Sequence, residues 1–158
     1  MSCTQTFSGI PRDCAPSMGG IVEAYIANYD EITLSGSTVS APDKFQVYEV
    51  RRESSSMTST ITADPKTHTR YVTTELSLVF PYMNETKREE IEKLIVGDMV
   101  VVVKDANGKY WYLGKDNPVN VSAGTGQTGT AAGDSNNYTL TLQDVSKNLP
   151  TELTTFSK

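Results

Sequence analysis

Chemistry-bearing residues are scarce in this chain: one histidine, two cysteines and one tryptophan in 158 residues. No window approaches the eighteen consecutive apolar residues of a membrane helix, so none is expected. Cys3 and Cys14 lie near the N-terminus with no histidine or further cysteine beside them. A structural zinc site needs four closely spaced ligands, so two buried or free thiols are expected rather than a metal or a disulfide. His68 follows Asp64-Pro65-Lys66-Thr67, a run of turn residues, and its sequence neighbourhood offers no nucleophile; a surface turn is the expectation. The first twenty residues lack both a basic start and an apolar run, which argues against a secretory leader and for folding in the cytosol. No acid, base and nucleophile fall into a catalytic pattern, so the chain reads as a non-enzyme without a cofactor.

Positive charge is also short. The formal net charge is −5 and the pI near 4.9, which speaks against a basic duplex-binding surface; a channel that lets nucleic acid pass without sticking wants this sign. Asp98, Asp105, Asp116, Asp134 and Asp144 are scattered and do not spell a calcium loop. Only Asp116 and Asn117 together with Asp134, Asn136 and Asn137 offer donors that a folded loop would have to bring together. Gly124, Gly126 and Gly129 spell G-x-G-x-x-G, but a dinucleotide site needs a strand before that motif and a helix after it. Here a Ser/Asn/Gly-rich stretch precedes it and a strand follows, so a flexible loop is expected. Asn84, Asn120 and Asn137 begin glycosylation triplets of the kind a Ser/Thr-rich chain produces by chance.

What is present reads as a single β-rich domain with one helix. Hydrophobic residues make up 37% and charged residues 21%, enough to bury a core without staples. Residues 1–18 read as an extended arm, 19–148 as the domain and 149–158 as a polar tail, frayed or docked elsewhere. Ile21 to Tyr29 and Phe45 to Arg51 read as strands, with a Ser/Thr/Gly-rich loop between them. Ser54 to Phe80 reads as a long hairpin. In its second arm Val72, Thr74, Leu76, Leu78 and Phe80 share one face, opposite Tyr71, Thr73, Glu75, Ser77 and Val79. Such an arm exceeds the usual strand of ~5–6 residues, so the hairpin is expected to leave its own domain and find a partner.

A helix over about 84–96 follows, capped by Asn84 or by a Thr86/Glu89 capping box, with Ile91, Leu94 and Ile95 as its apolar stripe. Gly97 is expected to close it in a left-handed conformation. Met99 to Val103 is an apolar run typical of a strand covered on both faces, and Asn107-Gly108 promises a tight turn with two positive φ angles. In the returning strand Trp111 points opposite Tyr110 and Tyr112, so a core on one side and an interface on the other is a better reading than a stacking platform. Residues 115–136 read as a long loop, and Tyr138 to Asp144 as the last clear strand.

The long hairpin, the single helix, the turn and aromatic strand from Asp105 to Gly114 and the late strand ending at Leu142 resemble, in that order, the tail-tube proteins of long-tailed bacteriophages. The resemblance spans Phe45 to Asp144 and rests on pattern and order. It implies a small β-barrel or β-sandwich that assembles with copies of itself, six to a ring, into stacked rings that conduct DNA, alongside other tail proteins and away from any membrane. It implies a place in the virion tail, after synthesis in the host bacterial cytoplasm. On that reading Thr58, Thr60, Thr62, Thr73, Glu75 and Ser77 face the lumen. Val72, Leu76, Leu78, Phe80, Ile91, Leu94, Ile95 and Trp111 form core or interface, and the arm or the Gly-rich loop meets the next ring. The inner tube of a bacterial injection machine is a near relative of this reading; competing readings are a head–tail connector, a tail terminator, and a monomeric carbohydrate-binding β-sandwich that uses Trp111.

Overall fold

The computed structural model describes residues 4–157, and the chain is mainly β with one α-helix. Residues 4–19 have no helix or strand and are exposed. The arm is tied where it enters the domain: the Met18 amide donates to Asn107 Oδ1 at 2.8 Å, and Asn107 Nδ2 donates to the Met18 carbonyl at 3.2 Å. Cys14 is an exposed free thiol; Cys3 lies outside the described residues.

In chain order come β1 (Ile21–Asn28), the short β2 (Leu34–Ser35) and β3 (Thr38–Val39), β4 (Gln46–Glu49), β5 (Ser56–Asp64) and β6 (Thr69–Pro81). Then follow α1 (Glu85–Val96), β7 (Met99–Asp105), β8 (Tyr110–Leu113), β9 (Asn120–Gln127), β10 (Asn137–Ser146) and β11 (Thr151–Leu153). A five-stranded sheet runs β11-β8-β7-β1-β4 and a four-stranded sheet β5-β6-β10-β9, while β2 and β3 pair by themselves. The two larger sheets form a sandwich. Backbone bonds between Met99 and Val119 in both directions, 3.1 and 2.8 Å, draw β7 and the approach to β9 together.

The apolar run of β7 explains the layering. Met99, Val101 and Val103 enter the core between the sheets with Leu76, Leu78, Phe80, Leu140, Leu142 and Leu94 of the helix. Val100 and Val102 enter a second core on the other side, with Tyr25, Phe45, Tyr112 and Leu153, closed by Ile32 and Val39. A strand covered on both faces has no use for polar residues, and each such burial is worth about 1.5–3 kcal/mol.

Several details depart from expectation. Asn84 alone caps the helix, its Oδ1 accepting from the Lys87 amide at 2.8 Å. Gly97 is extended (φ −93°), not left-handed, because the chain runs straight into β7. Ile95 is not core: it stays 54% exposed. In the β7–β8 turn only Gly108 has positive φ, so Asn107 follows an ordinary turn and Gly108 takes the bulge. The hairpin does not leave its domain either. From Val72 to Pro81, β6 pairs with β10, and only the tip projects, with His68 exposed there at φ +56°. The stretch read as a long loop holds β9, a full strand. The tail docks on its own domain: β11 pairs with β8, and Phe156 packs edge-on against Tyr25 and Phe45.

Candidate assembly surface

The four-stranded sheet has two unlike faces because its strands alternate and stay in register. Its inner face carries the rows Met57–Leu76–Leu142–Val121 and Leu78–Leu140–Gly124, which close the core. Its outer face carries Ser56–Ser77–Thr141–Ala123, Thr58–Glu75–Gln143–Asn120 and Thr60–Thr73–Val145, with Thr62 beside Tyr71 toward the tip. Thus Thr58, Thr60, Thr62, Thr73, Glu75 and Ser77 all lie on one face. Thr58, Thr60, Thr62 and Glu75 are exposed, and Thr73 and Ser77 are half-buried. The face is hydroxyl-rich and nearly uncharged, with Glu75 at its centre and Asp64 at the hairpin tip.

The margins of this sheet are as informative as its face. Strands β5 and β9 each pair on one side only. Proteins commonly blunt such edges with short strands, charge or proline. The five-stranded sheet follows that rule: its outer strands β4 and β11 are four and three residues long. The four-stranded sheet does not, since β5 and β9 are nine and eight residues long. In them Asp64 is the only charged residue, at the last position of β5, and neither contains proline. Because every neighbour in the sheet is antiparallel, the two edges run in opposite directions.

The other sequence motifs have structural roles. Gly124 and Gly126 lie within β9, where a Cβ at 124 would meet Leu140 Cδ2 at 2.9 Å and one at 126 the Tyr138 ring at 3.0 Å. They let those side chains lie across the strand, so the motif is neither a flexible loop nor a turn into a helix. Trp111 packs partly buried against the inter-sheet core, and its Nε1–H donates to Asp105 Oδ2 at 3.0 Å. Tyr110 and Tyr112 join the second core, so both faces of β8 pack inward and no aromatic platform stands free. The Asp105 carboxylate also accepts from the Asn107 and Lys109 amides at 2.9 and 3.0 Å, which fixes the turn.

Asp116 and Asp134 lie toward opposite ends of β10. The former accepts from the Lys147 amide; the latter accepts from the Thr130 and Ala131 amides, which hold its carboxyl below the usual range. The five donors therefore do not converge. Among the described residues no group of three or more His, Cys, Asp or Glu is placed to hold a metal. The glycosylation triplets have structural uses: Asn84 caps α1, Asn120 Nδ2 donates to Asp98 Oδ1 at 2.8 Å, and Asn137 is buried.

Of the residues read as core or interface, Val72, Leu76, Leu78, Phe80 and Leu94 are buried, and Ile91 packs partly buried on the same core. Tyr48 straps α1 to β4 by donating to Glu90 Oε2 at 3.2 Å; burial and that carboxylate push its pKa up to about 12. The sequence reading missed β9. Its signal was faint, because an irregularity between Val121 and Ala123 puts them on opposite faces and the glycines spoke for a loop.

Among the described residues no helix is long and apolar enough to cross a membrane. Comparison of the chain with family models, curated proteins and solved structures found no match in any of the three.

Proposed function

We propose that this chain is a structural subunit of a phage tail tube, which assembles with copies of itself into stacked rings around a channel for DNA. The observation that carries this reading is the pair of long, oppositely running free edges, charged only at Asp64, on a sheet with an open hydroxyl-rich face. A rotation about a ring axis brings β5 of one copy beside β9 of the next in antiparallel order. The closed barrel then has no exposed edge, and the hydroxyl face of every copy turns the same way. With about six copies of four strands, ~4.8 Å between strands and ~40° of tilt, the barrel is about 48 Å across its backbone, wide enough for a duplex.

A wall of hydroxyls with sparse negative charge neither grips phosphate nor offers it an apolar surface. The arm supports stacking as well as ring closure, since Phe7 and Ile10 on it are 90% and 98% exposed, a costly display for an isolated chain. The glycan-binding reading loses its platform with Trp111 held against the core. Catalysis has no part in this reading, and the site of action is the virion tail.

Negative-stain electron microscopy of the purified protein at high concentration tests the proposal. Hollow tubes or stacked rings are expected. Rings that never stack point to a connector or terminator, and monomers at every concentration reject self-assembly.

A further inference from the structure

The helix and β9 leave a groove of ≈ 380 Å³ between them, lined by Ile91, Ile95, Val121, Gly124, Tyr138 and Leu140 among others. The groove follows β9 from Val121 to Gly126, and β9 is an edge strand of its sheet. Its wall is apolar on the helix side, where Ile95 is 54% exposed, and the two strand glycines keep its floor low. On the opposite edge of the same sheet, the inward row of β5 is Met57, Ser59 and Ile61, set by pairing with Leu76, Thr74 and Val72. Among the described residues no strand pairs beyond that row, and Ile61 remains 58% exposed. Each edge therefore carries exposed apolar surface on its inner side, and neither can reach the other within a single copy.

Resting on the ring closure proposed above, we infer that the α1–β9 groove receives the inward row of β5 from the next copy, packing Ile61 against Ile95 and Val121 and Met57 toward Gly126 and Tyr138. Direct continuation of the sheet would set Met57 level with Val121, both in the row of Leu76 and Leu142, but it leaves no stagger and so cannot close a ring of tilted strands. At ~40° of tilt, four strands ~4.8 Å apart need about five residues of stagger per copy; a slide of about four, an even number that keeps the row inward, brings Ile61 level with Val121. The backbone bonds of the paired edges supply affinity, while the alternate side chains entering the groove supply register. The occupant is thus a second copy of this chain. The exposed isoleucine of the helix, out of place in a single subunit, belongs to the joint.

Two measurements on the full chain test this. Ile95→Asp, at an exposed position, is expected to leave the monomer's circular dichroism and melting unchanged while raising the concentration needed for rings about tenfold or more. In a Cys3→Ser, Cys14→Ser background, Ile95→Cys combined with Ile61→Cys is expected to give oxidised intermolecular dimers and higher ladders in assembled samples only. Wild-type rings accompanied by equally good rings from Ile95→Asp, or by no cross-link from the cysteine pair, overturn the groove while leaving ring closure intact. A wild-type chain that never forms rings removes ring closure itself, and the groove contact with it.

Discussion

Asp144 shows what a single residue can cost inside a packed sandwich. It is 4% exposed, its Oδ2 accepts from the Gly114 amide at 3.3 Å, and its Oδ1 has no partner among the described residues. Burial pushes its carboxyl above the usual range; the Gly114 amide opposes that shift and nearby Asp116 adds to it. A raised folded value means that the native state holds this proton more tightly than the unfolded chain does. The residue's contribution to stability is therefore most favourable below the ordinary carboxylate range. It declines as pH rises through the raised value and then stays level. Urea midpoints of wild type and Asp144→Asn, taken from about pH 4 to about pH 7, should diverge in the variant's favour as pH rises. A gap that stays constant over that range refutes the assignment.

At the scale of elements, β9 is where local composition and tertiary context disagree. Its glycines read as loop because glycine weakens an isolated strand, yet β10 recruits the segment by pairing from Gln127 to Asn120 with one irregularity. The glycines are needed because Leu140 and Tyr138 lean across it. Gly124→Ala should cost about 1–3 kcal/mol, since its Cβ meets a buried leucine and a backbone carbonyl with little room to move. Gly126→Ala should cost less, because the Tyr138 ring it meets is only half-buried and can swing aside. Chemical denaturation of both variants checks the order, and equal costs would mean that β9 is not held this closely. The helix was easier to read: Asn84 and the Ile91/Leu94 spacing are local signals, whereas the exposure of Ile95 depends on where the sheet ends.

For the whole molecule, the proposed lumen makes a charge prediction. Glu75 sits amid Thr58, Gln143, Thr73 and Ser77, so one substitution per subunit is repeated around every ring. Glu75→Lys should leave the sandwich folded, because the residue is exposed, and should leave assembly near its normal concentration. The resulting tubes should retain duplex DNA at low salt and release it as salt rises, and virions carrying the variant should deliver DNA poorly. Co-sedimentation of DNA with tubes across a salt series reads this directly. Tubes of the variant that bind no more DNA than wild type would move Glu75 out of the channel.

The sequence alone determined the elements whose signals are local: the continuous apolar β7, the two-faced β6, the hairpin turn and the capped helix. In each, side-chain period and turn chemistry act over a few residues and tolerate only one conformation. It also determined that Thr58, Thr60 and Thr62 share one face of their strand and Thr73, Glu75 and Ser77 one face of theirs, because strand alternation makes that a matter of parity; the register of β5 on β6 then set the two groups side by side. The tertiary structure decided what parity cannot reach. It turned a glycine-rich stretch into β9, folded the tail back as β11, held the hairpin against β10, and seated Trp111 on the core with its indole bonded to Asp105. It alone showed that both edges of one sheet remain open, with Asp64 as their single charge. Those outcomes depend on which distant segments meet, and in a β fold the partner of a strand is chosen by long-range burial and pairing rather than by its neighbours in the chain.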